Sequence, residues 1–266
     1  MNFNFKKSLG QNFLCDKNVV NKIIEGAEID KDTLVIEIGP GDGSLSYDII
    51  NKCGYAYLFE IDNRLEDNLR NKLSCYSNYT LYIKDFLGAS IDDIKELNNY
   101  KKLYVVANLP YYITSPIIMK LVNEFKPDKI VIMIQKEVAM RLSASVNTRD
   151  YGYISVILSC YYDIKKLVDV SRKCFIPEPK VDSAVIVMNK KGNIENNFNY
   201  ELFLKLVKDA FQFKRKNLRN NLKSYDLDTI NMVLEKYGLS LQDRAENVSL
   251  DVFIDIVNTL DDRMIS

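Results

Sequence analysis

Five short apolar runs, each followed by an amphipathic stretch, constrain this chain more than any other feature of its sequence. The runs are TLVIEIG (Thr33 to Gly39), YAYLFEID (Tyr55 to Asp62), TLYIKDF (Thr80 to Phe86), LYVVANL (Leu103 to Leu109) and KIVIMIQ (Lys129 to Gln135). Between and after them lie helix-like segments such as SLSYDIINK, RLEDNLRNKL, SPIIMKLVNEF and EVAMRLSAS. Continuous apolar strands alternating with helices predict a parallel sheet covered on both faces. A later run, DSAVIVMNK (Asp182 to Lys190), is expected to add a last strand to that sheet. After Lys191 the texture changes. The polar stretch GNIENNFN precedes only helical patterns: YELFLKLVKDAFQF, LDTINMVLEKYG and LDVFIDIVNTLDD. The expected organisation is an α/β domain over residues 1–191 and a small all-helical domain over 192–266.

Composition narrows the chemistry. The 266 residues are 47% hydrophobic and 27% charged, a globular profile. The five cysteines (Cys15, Cys53, Cys75, Cys160, Cys174) are odd in number and form no C-x-x-C pair, which favours reduced thiols over disulfides or a zinc site. The start, MNFNFKKSLGQNF, holds no apolar core of signal-peptide length, and no stretch approaches the roughly 18 apolar residues of a membrane span. A cytoplasmic protein is expected, with no membrane partner, no metal and no sign of more than a monomer. Histidine is absent altogether, which excludes Ser-His or Cys-His catalysis and histidine-ligated metals.

In an open α/β sheet, ligands bind beyond the carboxyl ends of the strands. The first strand leads into EIGPGDGSL, where glycines at 39, 41 and 43 allow close approach of a ligand. Ser44 stands where a pyrophosphate fingerprint needs its third glycine, so a dinucleotide site is disfavoured. Glu60 follows Gly39 by 21 residues, the spacing of an acid that accepts from both ribose hydroxyls. Asp85, at the end of the third run, is placed to bond an adenine amino group. Each acid alone is equally well read as a surface or capping residue. Together the three ends point to an adenosine-containing cofactor without phosphates, a description that S-adenosyl-L-methionine fits.

The fourth strand runs into NLPYYITSP (Asn108 to Pro116). Asn-x-Pro is ordinary turn chemistry, but the stretch also suits an adenine amine. That amine is a poor nucleophile because its lone pair is delocalised into the ring. Accepting hydrogen bonds from its two protons favours a more tetrahedral nitrogen. The side-chain oxygen of Asn108 and the carbonyl of Leu109 are candidate acceptors, Pro110 would fix the turn, and Tyr111 would stack on the purine. Alignment and electrostatics then suffice for methyl transfer, with no strong base.

With these motifs the chain resembles the ribosomal RNA adenine N6,N6-dimethyltransferases, and within them the small-subunit (16S) type. The matching stretches are KKSLGQNFL (Lys6 to Leu14), EIGPGDGSL, EID (Glu60 to Asp62), ANLPYYITSPI, QKEVAMRL, YGYISV, FIPEPKVDSAV (Phe175 to Val185) and FQFKRKNLRNNLK (Phe211 to Lys223). The resemblance implies a Rossmann-like S-adenosylmethionine-dependent methyltransferase domain with a helical C-terminal domain. It implies dimethylation of two adjacent adenosines in the 3′-terminal hairpin of small-subunit rRNA, within an immature 30S-type particle.

By the same resemblance, Asn12, Leu14, Gly39, Gly41, Glu60, Asp85 and Asn108 would line the cofactor pocket. Phe175 would form the second aromatic face of the base sandwich; the residues alone favour a plain core aromatic. The segment Lys214 to Lys223 carries Lys214, Arg215, Lys216, Arg219 and Lys223 and no acid. A solvated helix face and an rRNA-contacting surface both account for it. Two other functions share these features: a large-subunit (23S) rRNA methyltransferase conferring macrolide resistance, and a non-catalytic ribosome-assembly factor.

Overall fold

The structure, a computed structural model, describes residues 11–192 and 198–265. Residues 6–10 of the KKSLGQNFL motif and 193–197 of the polar stretch after Lys191 lie outside the described residues.

The apolar runs become five adjacent strands of a seven-stranded sheet. In chain order the strands are β1 (Phe13–Leu14), β2 (Thr33–Ile38), β3 (Tyr55–Glu60), β4 (Tyr79–Ile83), β5 (Lys102–Asn108), β6 (Lys129–Gln135), β7 (Tyr162–Val170), β8 (Phe175–Ile176) and β9 (Ser183–Lys190). The sheet order is β4-β3-β2-β5-β6-β9-β7, while β1 and β8 form a separate two-stranded ladder. The pairs among β2 to β6 are parallel, and β9 runs antiparallel against β6, with Ile132 opposite Ile186. All six residues of β2 are buried, the burial that an unbroken apolar strand at the sheet centre requires. β9 is the last strand of the sheet in chain order, as expected, and the strand the sequence did not suggest, β7, lies beyond it at the edge.

The crossover helices are α1 (Lys17–Ala27), α2 (Ser46–Lys52), α3 (Glu66–Lys72) and α4 (Thr114–Lys120). Asp16 caps α1 by accepting from the Asn18 N–H at 2.8 Å, and Glu28 ends it in the left-handed region at φ 52°. Val19, Val20, Ile23, Ile24 and Ala27 turn one apolar face of α1 to the core. α4 carries Pro116 in its first turn, where the missing N–H does no harm, and passes into a π turn over Leu121–Phe125.

The chain divides into two compact units, and the division is not a single cut in the sequence. One unit runs to Ala139 and resumes over Ile164–Lys190; the other comprises Met140–Asp163 and everything from Lys191. α5 (Lys136–Leu142) spans the first changeover. The second unit contains α6 (Tyr153–Tyr161), α7 (Tyr200–Ala210), α8 (Leu218–Asn221), α9 (Leu227–Lys236) and α10 (Leu250–Ile265). Its core is built on Phe203, Leu206, Val233, Leu234, Phe253 and Val257, all fully buried. Asn199 and Asp226 cap α7 and α9, matching the helical patterns of the sequence. No helix among the described residues is long and apolar enough to cross a membrane.

Candidate active site

The carboxyl ends of β2, β3 and β5 surround a cleft that is partly open to solvent. Its walls include Asn12 and Leu14 near the N-terminus, Gly39 and Gly41 after β2, Glu60 at the end of β3, and Asn108 to Tyr111 after β5. Parallel strands all release their chains at one sheet end, so residues 96 positions apart meet there.

The turn after β2 depends on backbone that only glycine adopts cheaply. Gly39 and Gly41 have φ of 70° and 61°. A Cβ at Gly41 would stand 3.1 Å from the Phe13 ring, so the position also lacks room for one. Glu60 secures this turn: its carboxylate accepts from the Gly41 N–H and the Asp62 N–H, each at 2.9 Å. A carboxylate has about four acceptor positions, so two remain for a ligand's hydroxyls. Burial raises the Glu60 carboxyl above its ordinary value, against the lowering by those two N–H groups. Beside it, the Arg64 guanidinium grips Asp62 and holds its carboxyl well below the usual carboxylate range. Asp62 also accepts from Gln11 Nε2 at 2.7 Å, tying the segment before β1 to the end of β3.

Asn108 is oriented without ambiguity. Its Nδ2 donates to the Asn12 carbonyl at 3.1 Å, a partner that can only accept, which turns Oδ1 the other way as an acceptor. The Leu109 N–H bonds the Met133 carbonyl at 3.1 Å and fixes the turn at its base. Pro110 adopts φ −59° and ψ 132° ahead of a 3₁₀ turn over Tyr111–Ile113. The half-buried Tyr111 shares a 2.7 Å hydrogen bond with Ser183 Oγ at the start of β9. Burial raises the Tyr111 phenol, so it stays neutral at physiological pH.

Glu37 was not singled out in the sequence, although an acid inside VIEIG is its own signal. It is 1% exposed, lines the cleft, and its Oε2 has no hydrogen-bond partner. Burial pushes its carboxyl up to about 8; Ser46 offsets part of this, while Glu60 and Asp42 add repulsion. The Ser46 hydroxyl nonetheless forms no well-shaped bond to it. The native state thus holds a proton that the unfolded chain releases near 4.5. Stability from this group is fully present below about pH 4.5 and is lost as pH rises to about 8. Relative to Glu37→Gln, the wild-type protein is expected to lose up to about 1.4 kcal/mol per pH unit across that window. Urea unfolding of both proteins at pH 5.5 and 8 measures this, and parallel stabilities would contradict it.

Two expected site residues are placed elsewhere. Asp85 lies beyond the end of β4, is exposed, and caps the next 3₁₀ turn by accepting from the Leu87 N–H at 2.9 Å. It is not among the cleft walls. Phe175 is 3% exposed in β8, paired with Leu14, and packs in the hydrophobic core. Lys214, Arg215, Lys216, Arg219 and Lys223 are all exposed. They lie not on a long helix face but on an irregular segment leading through the four-residue α8 to its end. Among the described residues no group of histidine, cysteine and carboxylate side chains could hold a metal.

The charge of the cleft selects its ligand. Glu37, Asp42 and Glu60 line it, Glu37 mainly in its neutral form at physiological pH, and no lysine or arginine does among the described residues. Such a wall repels phosphates and suits a ligand bearing positive charge.

Comparison with known proteins agrees with this geometry. Residues 2–262 match the family described as "Ribosomal RNA adenine dimethylase". The chain is 42% identical over 261 residues to the "Ribosomal RNA small subunit methyltransferase A" of Staphylococcus aureus, covering 94% of this chain and 88% of that protein. Among solved structures, a dimethyladenosine transferase from Plasmodium falciparum superposes with a TM-score of 0.81 at 24% identity, over 95% of this chain and 98% of that one. The 23S rRNA methyltransferase ErmE gives 0.75 at 26% identity, over 94% and 100% of the two chains.

Proposed function

Because the chain belongs to the ribosomal RNA adenine dimethylase family, we propose that it dimethylates the N6 amines of two adjacent adenosines in the 3′-terminal hairpin of small-subunit rRNA. The observation that carries this is the orientation of Asn108, whose Oδ1 is left to accept from an amine while Nδ2 is held by Asn12. The large-subunit alternative is less well supported, with 26% identity to ErmE against 42% to the small-subunit enzyme.

S-adenosylmethionine fits the cleft: an acidic wall for a cation, a glycine turn for close approach, and two acceptor positions left on Glu60 for ribose hydroxyls. When bound, it supplies a methyl group on a positively charged sulfur. The chain does the rest by positioning. Asn108 Oδ1 and the Leu109 carbonyl accept the two hydrogens of the target amine. Tyr111 stacks on the purine, steadied by Ser183. Pro110 holds both acceptors in one turn. The methylated nitrogen is a strong acid, so its proton leaves to water without a dedicated base. Asp85 for the adenine amine and Phe175 for the second face of the base rest on the resemblance alone.

The division of labour is cofactor and base for the unit built on the sheet and rRNA contact for the helical unit that carries residues 214–223. The particle is an immature small subunit, bound in the cytoplasm by a monomer. The five exposed basic residues of 214–223 contact rRNA phosphates in this reading. Replacing Lys214, Arg215 and Arg219 with alanine is expected to weaken binding and flatten its salt dependence by about one unit of slope per lost contact. An unchanged slope would return the segment to a solvated surface.

The function is tested in cells lacking this protein. Their small-subunit rRNA is expected to lack dimethyladenosine and to regain it with the wild-type chain. Restored ribosomes without the modified nucleoside would leave an assembly factor instead.

A further inference from the structure

Tyr112 stands beside the cleft without lining it. It is 56% exposed and makes no hydrogen bond or ring contact with any described residue. Isolated exposed side chains are normal on a protein surface. The place of this one is not, because it directly follows Tyr111, which lines the cleft. The turn that carries both is anchored: the Ile113 N–H bonds the Pro110 carbonyl at 3.3 Å, and Thr114 Oγ1 bonds the same carbonyl at 3.2 Å. Thr114 itself is 3% exposed.

The geometry of that turn separates the two rings. A 3₁₀ helix has three residues per turn, so consecutive side chains leave it about 120° apart. The Tyr111 ring is drawn into the cleft wall by Ser183. Tyr112 therefore cannot cover the base that Tyr111 covers, and its ring stands outward beside the cleft.

An adenosine entering a cleft must leave its stack, which strips one face of the neighbouring base of its cover. A rigid, exposed aromatic ring next to the mouth replaces that cover, whatever the neighbouring base is. We infer that Tyr112 is a stacking platform for the nucleobase adjacent to the target adenosine. This rests on the proposed function, under which the neighbouring base is itself an adenosine and a later target. Tyr112 makes no bond in the reaction; it holds the unstacked RNA in register.

The test is steady-state methyl transfer to unmethylated small subunits with Tyr112→Phe, Tyr112→Leu and Tyr112→Ala. Tyr112→Ala is expected to raise the KM for subunits about 5- to 150-fold, the range that base–aromatic stacking spans. The kcat and the affinity for S-adenosylmethionine are expected to stay within about twofold of wild type. Phe should restore the KM and Leu should not, since an aliphatic side chain fills space without offering a flat ring. An unchanged KM in Tyr112→Ala, or full rescue by Leu, would overturn the platform while wild-type activity stands. A wild-type protein that transfers no methyl to small subunits would instead overturn the reading beneath it, and the platform with it.

Discussion

Asn108→Ala is expected to abolish most methyl transfer, lowering kcat by about 10²- to 10³-fold, the effect typical of losing one preorganised hydrogen-bonding partner of a transition state. The amine of adenine becomes nucleophilic only as its nitrogen pyramidalises, and acceptors aimed at its two hydrogens favour that change. Asn108 Oδ1 supplies one acceptor because Nδ2 is committed to the Asn12 carbonyl. Alanine removes the acceptor and also frees that carbonyl. A single neutral hydrogen bond contributes about 1 kcal/mol, so cofactor affinity should fall by no more than about tenfold. Binding to small subunits should survive, since the contacts to rRNA phosphates are proposed for residues 214–223 and not for this loop. The separation of kcat from both affinities is the signature; equal losses in all three would mean that the loop had collapsed.

Glu60→Ala carries the second large effect, here on the cofactor. Its carboxylate holds the N–H groups of Gly41 and Asp62 and keeps two acceptor positions for ribose. Removal leaves the buried Asp62 N–H without this partner, at about 1–3 kcal/mol, loosens the half-buried Gly41 N–H, and deletes charge-assisted bonds to the hydroxyls. The dissociation constant for S-adenosylmethionine is expected to rise at least about 10²-fold. Adenosine used as a competitor should weaken in parallel if Glu60 serves the nucleoside half as proposed. Glu60→Gln, with one oxygen kept and an NH₂ turned on a donor, should fall between. Undiminished adenosine binding in Glu60→Ala would remove Glu60 from the ribose site.

Much of this was legible in the sequence, for identifiable reasons. Strands β2, β5 and β6 are buried on both faces, and such strands must be written as unbroken apolar runs. Asn108 ends β5 and Glu60 ends the neighbouring β3, and ligand sites form at such ends. What escaped notice depends on contacts distant in sequence or on elements too short to show a period. β1 and β8 are two residues each, and neither has a pattern of its own. β7 reads YDIKKLVDV, with adjacent lysines, because it lies at the sheet edge with much of its surface open. Ser183 matters because β9 returns it to Tyr111, 72 residues away, and Gln11 because it reaches Asp62. Asp85 was read as a strand end, but β4 stops at Ile83 and the carboxylate caps a turn. The two-unit division escaped a linear reading because residues 140–163 pack with helices far downstream, as Tyr151 against Phe211 illustrates.

The most direct test of the central claim offers labelled S-adenosylmethionine to unmethylated small subunits and to large-subunit RNA side by side, with wild-type and Asn108→Ala protein, and identifies the product nucleosides. N6,N6-dimethyladenosine is expected from the small subunit alone with the wild-type protein, and almost none with the variant. Label confined to large-subunit RNA, or full activity in Asn108→Ala, would contradict it.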